Sequence, residues 1–166
     1  MKTLKDLLIE LNACNEAIQW VSDKSVEDAV KEVERGDWLL WLAKKIDIPI
    51  KPLTLAKARC AKTVIHLMKD QRSIDAVNLA EKYGLTDEIS DDDLKNAADA
   101  AAYYAASADA AAYAASAADA ADAAAYYAAS AAADDAAKTK NQLQTAYICR
   151  EILGELIINR VNELLK

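Results

Sequence analysis

At 166 residues and 18.0 kDa, with a formal net charge of −7 and a sequence pI near 4.8, the chain is sized for one domain with its own core. Its 54% hydrophobic fraction overstates that core, because much of it is alanine, which buries little area per residue. The acidic balance argues against non-specific attachment to nucleic acid or anionic membrane, both of which need a cationic surface, and suits a cationic protein partner.

The three cysteines, Cys14, Cys60 and Cys149, are widely spaced and form no CxxC motif. They read as buried reduced thiols of a cytoplasmic protein, with neither a disulfide framework nor a zinc site. The N-terminal MKTLKDLLIELN carries acids inside its apolar run and does not read as a signal peptide. No run of about 18 apolar residues other than alanine exists, so no membrane span is expected.

Leu4, Leu7, Leu8, Leu11, Cys14, Ala17, Ile18 and Val21 recur at helical spacing and predict one helix over 3–22, opened by Thr3 and Asp6 in a capping box. Ser25 and Asp28 repeat the device for a short helix through Val33. Gly36 is placed to end it in the left-handed conformation, and Asp37 to cap the apolar WLLWLAKKI helix that follows. Pro49 and Pro52, in DIPIKPLT, mark the clearest loop.

Thr54 is expected to open a helix running to Asp70, with Leu55, Ala58, Ala61, Val64, Ile65 and Met68 inward. Ser73 then opens another, closed by Gly84, and Ser90 with Asp93 caps a third. At the C-terminus, Leu143, Tyr147, Leu153, Leu156, Ile157, Val161 and Leu164 form one stripe. No run alternates with period two. The expected fold is therefore all-α, a single-domain bundle of about 6–8 helices, in keeping with the periodicity. It divides into a helical part over 1–84, an alanine-rich tract over 90–137 and a C-terminal helix over 138–166.

The tract from Asp99 to Ala133 is written wholly in Ala, Asp, Tyr and Ser. Alanine is the strongest helix former, so the tract reads as helical. An unbroken helix from Asp91 to Leu165 would be about 110 Å long, against roughly 30–40 Å for a domain of this size, so a turn is required. Candidate turns lie at Ser107–Asp109, at Ser116 and, most favoured, between Asp134 and Asn141. DAAAY recurs at Asp99, Asp109 and Asp122, but spacings of ten and thirteen hold no single stripe. The tract reads as a thin scaffold whose small side chains let neighbouring helices come close. An ice-binding face is excluded, because no Thr occurs between Asp87 and Lys138.

No P-loop, HExxH, GxSxG or metal-spaced Cys/His cluster is present, and the single histidine leaves little for a His-based metal site. A non-enzymatic protein without a cofactor is expected. Two clusters are candidate binding sites. Arg35, Asp37, Trp38 and Trp41 combine the residue types favoured at protein–protein hot spots, with Trp38 and Trp41 on one helix face and Trp20 able to join them. A core aromatic cluster with capping charges would have the same composition. His66, Lys69, Asp70, Arg72 and Ser73 form the densest polar stretch. With Ser73 as N-cap flanked by Lys69 and Arg72, it is a candidate anion site, for instance for a nucleotide; a helix–helix corner satisfied by its own charges is the simpler alternative.

Four segments carry a family resemblance: the Ala13–Trp20 pattern ACxxAxxW, the Ser25–Ala43 segment ending in RGDWLLWLA, HLMxDxRSxDA over His66–Ala76, and ICRxIL over Ile148–Leu153. With the alanine-rich tract between the last two, the order resembles the immunity protein family found beside bacterial polymorphic toxins and in phage genomes. RGDWLLWLA is its most specific element. The resemblance implies a non-enzymatic, cytoplasmic binder that neutralises a toxin or, in a phage, a host defence component. Sequestration of a small anionic ligand made by a defence system is the alternative, and a purely structural helical protein the third reading. Self-association is compatible with all three.

Overall fold

Thr3 begins the first helix by a reciprocal cap: its hydroxyl accepts the Asp6 amide at 3.2 Å, and the Asp6 carboxylate accepts the Thr3 amide at 2.9 Å. The computed structural model describes residues 2–68, 70–105 and 135–166. Within them are eight α-helices, α1 (Leu4–Glu10), α2 (Asn15–Val21), α3 (Val26–Glu32), α4 (Gly36–Lys45), α5 (Ile50–Lys62), α6 (Gln71–Leu85), α7 (Asp91–Ala105) and α8 (Asp135–Leu164), with a 3-10 turn at Ile65–Leu67. The fold is an all-α multi-helix bundle. No described helix is long and apolar enough to cross a membrane.

The helix expected over 3–22 is two helices. Asn12 sits at φ 60°, a left-handed conformation that asparagine tolerates and that reverses the chain between α1 and α2. Ser22 and Asp47, at φ 43° and 57°, end α2 and α4 in the same way. None of the glycines has a positive φ. Gly36, expected as a left-handed terminator, is instead the first residue of α4, and Gly84 lies inside α6.

Pro49 and Pro52 do not make a loop. Pro49 is the N-cap of α5 and Pro52 its third residue, where a missing N–H costs nothing because first-turn amides have no intrahelical acceptor. Thr54, expected to start the helix, is buried in its first turns. At its other end α5 stops at Lys62, short of the Asp70 expected, and the chain passes through the 3-10 turn into α6.

The axis of the bundle is α8, about 45 Å long, which packs against α3, α4 and α5; α6 covers the other side of α5, and α7 covers α6. Its inward stripe is Ala146, Cys149, Leu153, Ile157 and Val161, all fully buried and spaced by three or four residues. This stripe differs from the expected one at three positions. Leu143, Tyr147 and Leu156 face outward, at 41%, 59% and 37% exposure. Residues 135–141, where a turn was favoured, are helical. The other candidate turns, at Ser107–Asp109 and Ser116, and most of the alanine tract lie outside the described residues.

Cysteine placement also departs from expectation. Cys14 is exposed, whereas Cys60 and Cys149 are buried with their sulfurs 3.6 Å apart where α5 meets α8. Each thiol has a backbone acceptor from a neighbouring helix: Cys60 reaches the Thr145 carbonyl at 3.8 Å, and Cys149 the Gly36 carbonyl at 3.6 Å.

Candidate functional site

The chain leaves α3 in an extended conformation at Val33 and re-enters helix after Arg35, so α3 and α4 meet at a sharp corner. Two contacts from α8 fasten that corner: Arg150 donates to the Val33 carbonyl, and Cys149 to the Gly36 carbonyl. Arg35 therefore projects from a fixed point. Its Nε donates to Asp37 Oδ1 at 2.9 Å and a terminal nitrogen to Oδ2 at 2.7 Å, a bidentate pair. The Asp37 hydrogen bonds hold the guanidinium pKa above its ordinary value, against the opposing effect of partial burial. Asp37 thus pairs with Arg35 from the first turn of α4, where it was expected to serve as N-cap; the N-cap position belongs to Arg35.

The guanidinium also lies 5.0 Å over the Trp38 ring and 3.7 Å from Glu16 of α2. Trp38 meets Trp20 edge-on, with centroids 6.0 Å apart and planes at 66°. Lys24 lies 5.1 Å over Trp20 and is paired to Glu32 at 2.7 Å. Lys45 lies 5.9 Å over Trp41. The three tryptophans are brought together as expected, although Trp41 joins them through a shared cavity wall and makes no ring pair among the described residues.

That cavity, 550 Å³ between α1, α2, α3 and α4, is the feature the sequence did not disclose. Core side chains such as Leu4, Leu8, Val30 and Leu39 form its floor; Glu16, Arg35 and Asp37 stand at its mouth beside Cys14. A second recess of 240 Å³ adjoins it, sharing Glu16, Trp20, Arg35 and Trp38 and adding Glu34 with Gln142 and Leu143 of α8. Glu16, Glu34 and Gln142 carry no local motif, which is why sequence reasoning passed over them, while Leu143 was expected in the inward stripe of the C-terminal helix. Asp37 and Glu16 contact the one guanidinium and Glu34 lines the adjoining recess, so the rim is acidic.

The second candidate cluster is assembled differently from its expected form. His66 is exposed on the 3-10 turn and shares no helix with Asp70. Asp70, and not Ser73, is the N-cap of α6: its carboxylate accepts the Arg72 amide at 3.4 Å and Arg72 Nε at 3.1 Å. Ser73 lies within the helix, and Lys69 is outside the described residues. The α6 N-terminus therefore already faces a carboxylate of its own chain, the partner that an anionic ligand would otherwise supply.

Among the described residues, no three His, Cys, Asp or Glu side chains gather as a metal site. Comparison of the chain with protein-family models, with curated proteins and with solved structures finds no match.

Proposed function

We propose that this chain is a non-enzymatic binding protein of the immunity type, acting in the cytoplasm to neutralise a basic protein partner, either a toxin or a host defence component. The observation that carries this reading is the Arg35–Trp38–Trp20 cluster at the α3–α4 corner. It places arginine and two tryptophans, the residue types that dominate binding hot spots, on one half-exposed face beside an apolar cavity. The acidic rim and the net charge of −7 favour a cationic partner and speed its approach. The family resemblance centred on RGDWLLWLA supports the same role. Nucleotide sequestration at Arg72 and Ser73 has less support, because Asp70 holds both the helix end and the arginine.

The test is co-expression with the toxin encoded by the neighbouring gene. A stable complex on size exclusion and relief of toxicity are expected, with both weakened by Arg35→Glu. Absence of a complex with that toxin overturns the reading.

A further inference from the structure

We propose that the cavity between α1, α2, α3 and α4 is a binding site for an amphipathic amine, its apolar body inside the cavity and its ammonium group beside Glu16, where the mouth meets the recess that Glu34 lines. It is a cleft open to solvent at one side, with a volume of 550 Å³ and walls that are chiefly apolar side chains of four helices. It falls within the roughly 300–1,000 Å³ typical of small-molecule sites. Polar groups converge at one end only, which fixes the orientation of an amphiphile: tail among the leucines and valines, head at the rim.

The charge of that head follows from how Arg35 is engaged. Its guanidinium is held bidentately by Asp37, so an incoming anion must displace a carboxylate already making two charge-assisted bonds. The same anion would lie beside Glu16 and Glu34. A cation meets the opposite situation. Glu16 has a side chain 71% exposed and touches Arg35 only at 3.7 Å, leaving its carboxylate able to accept a new donor. Glu34, exposed in the adjoining recess, supplies the second acceptor. Lys24 adds little opposing charge because Glu32 neutralises it at 2.7 Å.

This site goes beyond the proposed partner-binding role and is tested without the partner. All three tryptophans of the chain line the cavity, so intrinsic emission reports its occupancy. The full chain is titrated at pH 7 with decylamine, decanol and decanoate, each below its micelle concentration. A saturable emission change is expected for decylamine, with affinity about fivefold above decanol, the worth of one half-exposed ion pair, and decanoate weakest. High salt should shrink the amine preference. The Glu16→Gln/Glu34→Gln double variant should bring decylamine down to decanol while leaving decanol unchanged. Ala17→Phe, which puts a ring into the cavity from its wall, should weaken binding of all three at unchanged helicity. Decanoate binding as tightly as decylamine overturns the proposal, as does an amine preference that survives the double variant or the lack of a saturable change with every probe. Partner binding would survive each of these outcomes, so the two readings fail separately.

Discussion

Gly36 of α4 lies so close to Thr145 of α8 that a Cβ at Gly36 would stand 2.6 Å from both the Thr145 carbonyl carbon and its Oγ1. The same holds for Gly84, whose added Cβ would meet Leu55 Cβ at 2.6 Å and its Cα at 2.9 Å. Neither glycine turns the chain; each lets two helices touch. Gly154 differs, since its nearest contact would be Val30 Cγ1 at an ordinary 3.7 Å. Gly36→Ala and Gly84→Ala are each expected to cost about 1–3 kcal/mol by overpacking. Gly154→Ala should add about 0.5–1 kcal/mol, since it relieves the entropy cost of glycine within a helix. Urea denaturation of the three variants reads both signs at once.

Thr54 is fully buried, and its hydroxyl has no hydrogen-bond partner among the described residues. An unsatisfied buried hydroxyl costs free energy that an isosteric methyl does not. Thr54→Val is therefore expected to raise stability by about 1 kcal/mol, seen as a higher denaturation midpoint at an unchanged slope. A loss of stability would contradict the burial argument.

The Tyr83 hydroxyl donates to Asp91 at 2.7 Å, tying α6 to the start of α7. That hydrogen bond, helped by burial and by the Asp91 charge, pushes the phenol up from 10.0 to about 12. The folded chain ionises later than the unfolded one, so this contribution to stability is whole below pH 10 and is lost as pH rises through about 12. Phenolate absorbance should show a late phase that Tyr83→Phe removes and Asp91→Asn moves to lower pH. At the acid end, Glu81 is held below the usual carboxylate range, chiefly by its hydrogen bond from Lys62. Its contribution is present above that range and lost as pH falls; Glu81→Gln should flatten this part of the acid titration of stability.

Thiol chemistry should separate the cysteines by depth. One thiol, Cys14, is expected to react with an aromatic disulfide reagent in the native state, while Cys60 and Cys149 react only on unfolding. Mass mapping of the native adduct identifies the site. Rapid native labelling of Cys60 would show that α5 and α8 part more easily than their packing implies.

Arg35→Ala uncovers the Trp38 face and releases Asp37 and Glu16. Trp emission should move to longer wavelength as the ring gains water. Stability should fall by less than about 1 kcal/mol, because the ion pair is partly exposed and screened by solvent.

The caps at Thr3, Ser25 and Ser90 were readable because each joins residues three apart: Ser25 Oγ accepts the Asp28 amide at 3.0 Å and Ser90 Oγ the Asp93 amide at 3.1 Å. The α4 helix with its Trp38–Trp41 pair was readable for a similar reason, as that spacing lies within one turn, whereas Trp20 reaches Trp38 from a separate helix. Glycine and proline misled because their usual meaning is conformational, whereas Gly36 and Gly84 serve contacts with residues far along the chain, and Pro52 sits where a helix lacks nothing by losing a donor. The break at Asn12 was hidden by apolar residues whose periodicity happens to continue across it.

Composition and periodicity alone therefore determined that this chain is helical, acidic and built around an Arg–Trp corner, because helix formation and capping depend on neighbours a few residues away. Only the tertiary structure decided which glycines are indispensable, that Asp70 occupies the α6 N-terminus, and that Glu16, Glu34 and the three tryptophans share a cavity. Those outcomes require α8 to press on the α3–α4 corner and four short helices to leave a space between them, and no local pattern encodes how separate helix faces meet.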